Sequence, residues 1–131
     1  MKAEDNENRG EDEKPLLRLK RKLGIETLWI FILAILSKRD SYAYDIIKKI
    51  KKIYGFDPGK VLPYVVLKKL ELEGYVASYD KERRKYYRIT QKGRNLLQKG
   101  KQYLQSTLQK IDYPSPNLAI YTGKDKRSKE P

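Results

Sequence analysis

Residues 83–93 read Arg-Arg-Lys-Tyr-Tyr-Arg-Ile-Thr-Gln-Lys-Gly, and this stretch restricts the fold more than any other in the chain. Arg83, Arg84 and Lys85 crowd one turn after Asp80-Lys81-Glu82. Lys85–Ile89 then alternates polar and apolar residues, the pattern of a half-buried strand. Thr90 belongs to the residue types that cap a helix N-terminus. The expected order is a basic hairpin tip, a strand, and a helix immediately afterwards. Such a tip has to lie in water or against a polyanion.

The charge balance favours the polyanion. Lys and Arg number 30 against 17 Asp and Glu, a formal net charge of +13. The first 14 residues hold six acids and three bases, so the rest of the chain carries the whole positive excess. A basic domain of this kind attracts nucleic acid first and acidic membrane second. The alternative is a charge excess that serves only solubility. The chain has no Cys and no His. Disulfides, thiol nucleophiles, zinc fingers and imidazole acid–base chemistry are therefore excluded. No signal-peptide pattern opens the sequence, and the apolar run Leu28–Leu36 is too short to span a bilayer. A cytoplasmic, nucleoid-associated protein without a cofactor is expected.

Residues 1–14 are polar and acidic, and a disordered tail is expected there. Pro15 can open a helix, in which Leu16, Leu17, Leu19 and Leu23 alternate with Arg18, Lys20, Arg21 and Lys22 until Gly24. A helix over about Ile25–Ser37 follows, apolar on nearly every side, and so central to a core or a dimer. In Ala43–Tyr54 the apolar residues Ala43, Ile46, Ile47, Ile50 and Ile53 recur at helical spacing opposite a lysine face, and Gly55 closes the helix. Asp57 and Pro58 look like the cap and first residue of a third helix running to about Glu73. Helices joined by so short a connection form a helix-turn-helix. Two short strands, about Tyr75–Tyr79 and Lys85–Ile89, follow with a loop over 80–84. A last helix, Gln91–Ile111, precedes a Pro-broken flexible tail over 112–131. The fold class is mainly α with a small β-hairpin: a winged helix-turn-helix over 15–90 and a dimerisation helix over 91–111.

On the third helix Pro63, Val66, Leu67 and Leu70 share the face that should pack inward. Lys60, Tyr64 and Lys68, four residues apart, should line the exposed face beside it. Lysines there can contact phosphates, and Tyr64 can bond a base edge or stack. Val61 and Val65 could touch thymine methyl groups. The plainer reading is a solvated amphipathic helix. On the hairpin, Lys81, Arg83, Arg84, Lys85 and Arg88 can reach phosphates or a minor groove. Tyr86 and Tyr87 point to opposite faces of their strand, so at most one is core.

These residues resemble the PadR family of prokaryotic transcriptional regulators over about Leu16–Ile111. The resemblance rests on Leu33-Ala34-Ile35-Leu36-Ser37, Ser41-Tyr42-Ala43-Tyr44-Asp45-Ile46 and Asp57-Pro58-Gly59. It continues through Leu67–Val76 and Arg83–Thr90 with Gly93. Two segments depart from the family pattern. Ala43-Tyr44-Asp45 replaces the usual Gly-Tyr-Glu, and Val61-Leu62-Pro63-Tyr64-Val65 stands where Gly-Thr-Leu-Tyr-Pro is usual. Tyr64 keeps the family's Tyr, but base contacts by its Thr do not carry over to Leu62. The resemblance implies a DNA-binding dimer that usually represses transcription and is sometimes released by a small molecule. No residue pattern identifies that molecule.

The expected function is a homodimeric, sequence-specific DNA-binding regulator, in the main a repressor, and not an enzyme. Its expected DNA contacts are Tyr44, Lys60, Tyr64, Lys68, Lys81, Arg83, Arg84 and Lys85. Its expected dimer interface is Leu16, Leu19, Leu23, Leu97, Leu104, Leu108 and Ile111. The alternative is a winged-helix protein-interaction module, or a non-specific nucleic-acid or chromatin-associated protein.

Overall fold

The structure, a computed structural model, describes residues 13–114. The acidic tail expected over 1–14 and the tail expected over 112–131 fall almost wholly outside them. The chain divides into two units between Asn95 and Leu96.

In the first unit, α1 (Lys14–Gly24) opens with Pro15 in its first turn, where a missing N–H costs nothing. It ends where Gly24 lets the Phe56 ring approach, with space for a Cβ only 3.2 Å from the ring atoms. Next, α2 (Leu28–Leu36) is the core element expected from its composition. Leu28, Ile30, Ile32, Leu33, Ile35 and Leu36 are all buried, and Phe31 meets Tyr54 and Phe56 edge to face. It begins three residues later than expected, at Leu28 after Thr27.

Between α2 and the next helix, where no strand was expected, Ser41–Tyr42 form a short strand, β1. Two residues carry no readable alternation, so only the pairing partner defines this strand. Helix α3 (Ala43–Lys49) continues through a wider π-helical turn, Ile50–Tyr54, to Gly55. Ala43, Ile46, Ile47 and Ile50 are its buried face, as the spacing indicated, but Ile53, expected on the same face, is exposed where the wider turn carries the chain off the core.

The third helix differs from expectation at its start. It is α4 (Leu62–Leu72), with Pro63 rather than Pro58 in the first turn. The Asp57 carboxylate accepts the Gly59 N–H at 2.9 Å, and Gly59 sits at φ +82°. This closes an Asx-type turn instead of a helix cap. The same Asp-Pro-Gly letters serve either structure, and the left-handed Gly59 decides between them. On α4, Pro63, Leu67 and Leu70 are buried as expected, against α2 and α3.

Strands β2 (Val76–Lys81) and β3 (Arg84–Ile89) form the hairpin, and β1 joins on the far side of β3, giving the antiparallel order β1-β3-β2. The register pairs Tyr79 with Tyr86, Lys81 with Arg84 and Tyr42 with Tyr86. Val76, Tyr87, Ile89 and Ser41 face the core and are buried. Ser78, on the same inner face, donates to the Glu71 carboxylate of α4 at 2.6 Å. Tyr86 lies on the outer face, so of the two adjacent tyrosines only Tyr87 is core.

Helix α5 (Gln91–Asp112) starts at Thr90, whose hydroxyl accepts the Gly93 N–H at 3.1 Å. From Leu96 onward α5 is the second unit. Among the described residues no helix is long and apolar enough to cross a membrane.

Candidate nucleic-acid interface

Three elements of the first unit converge on one groove of about 480 Å³. The β1–α3 junction supplies Tyr42, Ala43 and Tyr44, α4 supplies Tyr64, and β3 supplies Arg84, Lys85 and Tyr87. Four residues singled out in the sequence, Tyr44, Tyr64, Arg84 and Lys85, are thus brought together. Tyr44 and Lys85, the extremes, are 41 positions apart, and the β1–β3 pairing is what closes that distance.

Each wall is fixed locally. Ser41 is 2% exposed and donates to the Asp45 carboxylate at 2.6 Å, which ties β1 to the first turn of α3. That hydrogen bond, with Lys49 at 3.2 Å, holds the Asp45 carboxyl below its ordinary value although burial opposes the shift. Asp45 therefore stays ionised, and an anion in the first turn of a helix is favourable. Tyr44, the residue just before Asp45, is exposed, with Lys48 one turn on and 5.6 Å from its ring. Tyr87, largely buried, also lines the groove. Burial, with the neighbouring Glu71, pushes its hydroxyl above the ordinary tyrosine value, so it stays neutral.

Tyr64 and Lys68 lie on the exposed face of α4, with Val61 and Val65 exposed close by. Lys60 does not join their row. It stands two residues before the helix, because α4 begins at Leu62. The helical spacing assigned to Lys60 was an artefact of starting the helix at Pro58.

The wing is tighter than expected. The loop read as 80–84 shrinks to Glu82-Arg83, because Lys81 and Arg84 still pair. Both loop residues have positive φ, 52° and 64°. This is the type I′ geometry of two-residue hairpins, which normally takes Asn-Gly or Gly-Gly. Left-handed backbone costs a residue with a Cβ roughly 1–2 kcal/mol. The tip keeps a cation at Arg83 in spite of that cost. Replacing Glu82-Arg83 by Asn-Gly is expected to stabilise the fold by about 1–2 kcal/mol and to weaken DNA binding by about one phosphate contact. Thermal unfolding and a salt titration of binding measure the two effects. A lower melting temperature would contradict the strain.

Sequence reasoning missed the outer-face residues Tyr42 and Tyr79, the Ser41–Asp45 clamp and the inner role of Tyr87. Only the cross-strand register reveals the first two. Among the described residues no group of three or more His, Cys, Asp or Glu stands ready to hold a metal ion.

An exposed helix preceded by a short helix-turn-helix connection and followed by a basic β-hairpin defines a winged helix-turn-helix. The PadR-like family of transcriptional regulators is matched over residues 32–99, and the chain belongs to that family. Members of the family are DNA-binding transcription factors rather than enzymes. A solved transcriptional regulator from Clostridium thermocellum is 32% identical, with a TM-score of 0.59 over 64% of this chain and 88% of that one. A solved protein from Streptococcus mutans is 40% identical, with a TM-score of 0.57 over 64% of this chain and 81% of that one. A PadR family transcription regulator from Clostridium difficile is 28% identical, with a TM-score of 0.55 over 64% of this chain and 93% of that one. No curated protein matches the chain.

Proposed function

We propose that this chain is a homodimeric repressor that binds a two-fold operator. The face of α4 bearing Tyr64 and Lys68 enters the major groove, and Lys81, Arg83, Arg84 and Lys85 of the wing lie along the backbone. Tyr44, with Lys60 ahead of the helix, contacts flanking phosphates. On this reading the protein works on the nucleoid, and any effector acts by altering the dimer. The observation that carries the proposal is the groove in which the start of α3, α4 and the wing bring Tyr44, Tyr64, Arg84 and Lys85 together.

Selection of bound duplexes from random sequence tests it. The expected product is a pair of inverted half-sites whose centres lie about one helical turn apart. Failure to enrich any sequence overturns sequence specificity, and a lone half-site overturns the two-fold reading. Transcription from a promoter carrying the selected site should fall when the protein is added. A rise would make it an activator.

The wing gives a separate expectation. Arg83→Gln with Arg84→Gln should weaken binding to selected and random duplexes alike. The slope of log affinity against log salt should flatten by about two. An unchanged slope would remove both arginines from the phosphate contacts.

A further inference from the structure

The outer face of the sheet carries an aromatic row that starts at the groove, with Tyr42, and runs beyond it. Tyr42, Tyr86 and Tyr79 stand side by side on β1, β3 and β2, one from each strand, in direct register. Tyr42 and Tyr86 meet edge to face at 5.3 Å between ring centroids, and Tyr86 stacks on Tyr79 at 5.7 Å with 18° between the planes. The row is anchored at one end, where the Tyr79 hydroxyl donates to the Asp40 carboxylate at 2.6 Å. Asp40 precedes β1, so the anchor joins the far strand of the hairpin back to the segment leading into α3.

Each ring nearer the groove carries a wing cation. The Arg84 guanidinium carbon lies 4.4 Å from the centroid of Tyr42, and the Lys81 ammonium lies 5.4 Å from that of Tyr86. Among the described residues neither cation has a carboxylate partner within ion-pair distance. Both sit at the closing pair of the hairpin, immediately before and after the strained turn.

We propose that the Tyr42–Tyr86–Tyr79 row is a positioning bracket that holds Arg84 and Lys81 in place for the phosphate backbone. Three physical points support a bracket. A long cation on an exposed hairpin otherwise loses considerable rotamer freedom on binding, and prior ordering removes part of that loss. An aromatic face orders a guanidinium without neutralising it, whereas a carboxylate would compete with phosphate. An Arg resting on a ring also keeps its N–H groups for other acceptors, because the interaction uses the face of the guanidinium and the hydrogen bonds use its edge. The alternative, a surface on which unpaired bases stack, fits less well. Tyr42 and Tyr86 already carry the protein's own cations, and Tyr79 and Tyr86 already stack on each other.

The bracket rests on the DNA-binding reading, and a mutant cycle separates the two. Binding of a mixed-sequence duplex is measured by fluorescence anisotropy for the full chain, Tyr42→Leu, Tyr42→Phe, Arg84→Ala and Tyr42→Leu with Arg84→Ala. Tyr86→Leu and Tyr86→Phe test the middle of the row, and circular dichroism checks that each variant is folded. Tyr42→Leu should weaken binding roughly 2- to 5-fold. It should leave the salt slope unchanged, since no charge is removed, whereas Arg84→Ala should flatten the slope by about one. Tyr42→Phe keeps the ring and should restore binding. In the Arg84→Ala background Tyr42→Leu should cost nothing more. An equal loss with and without Arg84 overturns the bracket and makes Tyr42 a direct contact. A loss that Phe does not rescue assigns the effect to the hydroxyl, which also overturns it. Greater loss on oligo(dT) than on duplex marks a stacking surface instead. If the unmodified chain binds no duplex at all, the DNA-binding proposal itself fails, and it does so independently of the cycle.

Discussion

Gly93→Ala is expected to destabilise the first unit by about 3 kcal/mol or more, lowering its melting temperature by more than about 10 °C. A Cβ at Gly93 would clash with the Tyr75 carbonyl oxygen and stand 2.8 Å from Ile89 Cγ1. Neither neighbour is free to retreat. The Tyr75 carbonyl accepts the Thr90 N–H at 3.1 Å, and the Thr90 hydroxyl lies 3.0 Å from it and 2.7 Å from the Gly74 carbonyl. Ile89 is buried at the end of β3. Gly93 lies in the first turn of α5, where Ala would ordinarily help the helix by up to about 1 kcal/mol. The clash outweighs that gain. Gly74 supplies the control. It ends α4 at φ +83°, but a Cβ there meets nothing closer than the Lys92 side chain at 3.7 Å. Gly74→Ala should therefore cost only the left-handed penalty, about 1–2 kcal/mol. Equal melting temperatures for the two variants would show that α5 can shift away from Tyr75.

The same junction marks the part of the fold that was legible in the sequence. Thr90 caps α5 as its residue type indicated, whereas the close approach at Gly93 shows only in the structure. The burial of α2 followed from its nearly continuous apolar composition, and the inner face of α3 from apolar spacing up to Ile50. The wing and α4 could be singled out from a related pattern: cations and exposed tyrosines on elements whose other face is apolar. What could not be read depended on partners distant in sequence. The strand Ser41–Tyr42 exists because β3 pairs with it, and without it Tyr42 and Tyr44 do not reach the groove. The start of α4 turned on a choice between Pro58 and Pro63, which only the left-handed Gly59 resolves. That choice moved Lys60 off the helix. The turn Glu82-Arg83 has none of the residues its geometry prefers, so its tightness was invisible until the Lys81–Arg84 pairing was known.

Leu104→Asp with Leu108→Asp is expected to convert a dimer to monomers and to lower operator affinity by about 100-fold or more. The second unit consists of α5 beyond Leu96, where Leu104, Leu108 and Ile111 recur at helical spacing and are 44%, 61% and 70% exposed. Leu97, expected on the same interface, is already buried within the chain at 9% exposure and contributes no free surface. On α1, Leu16, Leu19 and Leu23 are likewise exposed, amid Arg18, Lys20, Arg21 and Lys22. Apolar rows of this length on two helices are costly to leave in water, at about 25 cal/mol per Å². A second copy offers the same rows in return, since a two-fold interface is self-complementary. Pairing then makes the second half-site an intramolecular event, so most of the operator affinity depends on the interface rather than on either reading helix. Aspartate at two central positions buries unpaired charge in any such interface. Sedimentation should give a dimer for the unmodified chain at micromolar concentration and a monomer for the double variant. Ile111→Asp, near the end of α5, is a milder companion that should weaken dimerisation while the helix stays folded by circular dichroism. Single half-site binding should change little in either variant, because the groove lies in the first unit. A monomeric unmodified chain that fills two half-sites without cooperativity would overturn the dimer and leave the exposed leucines for another partner.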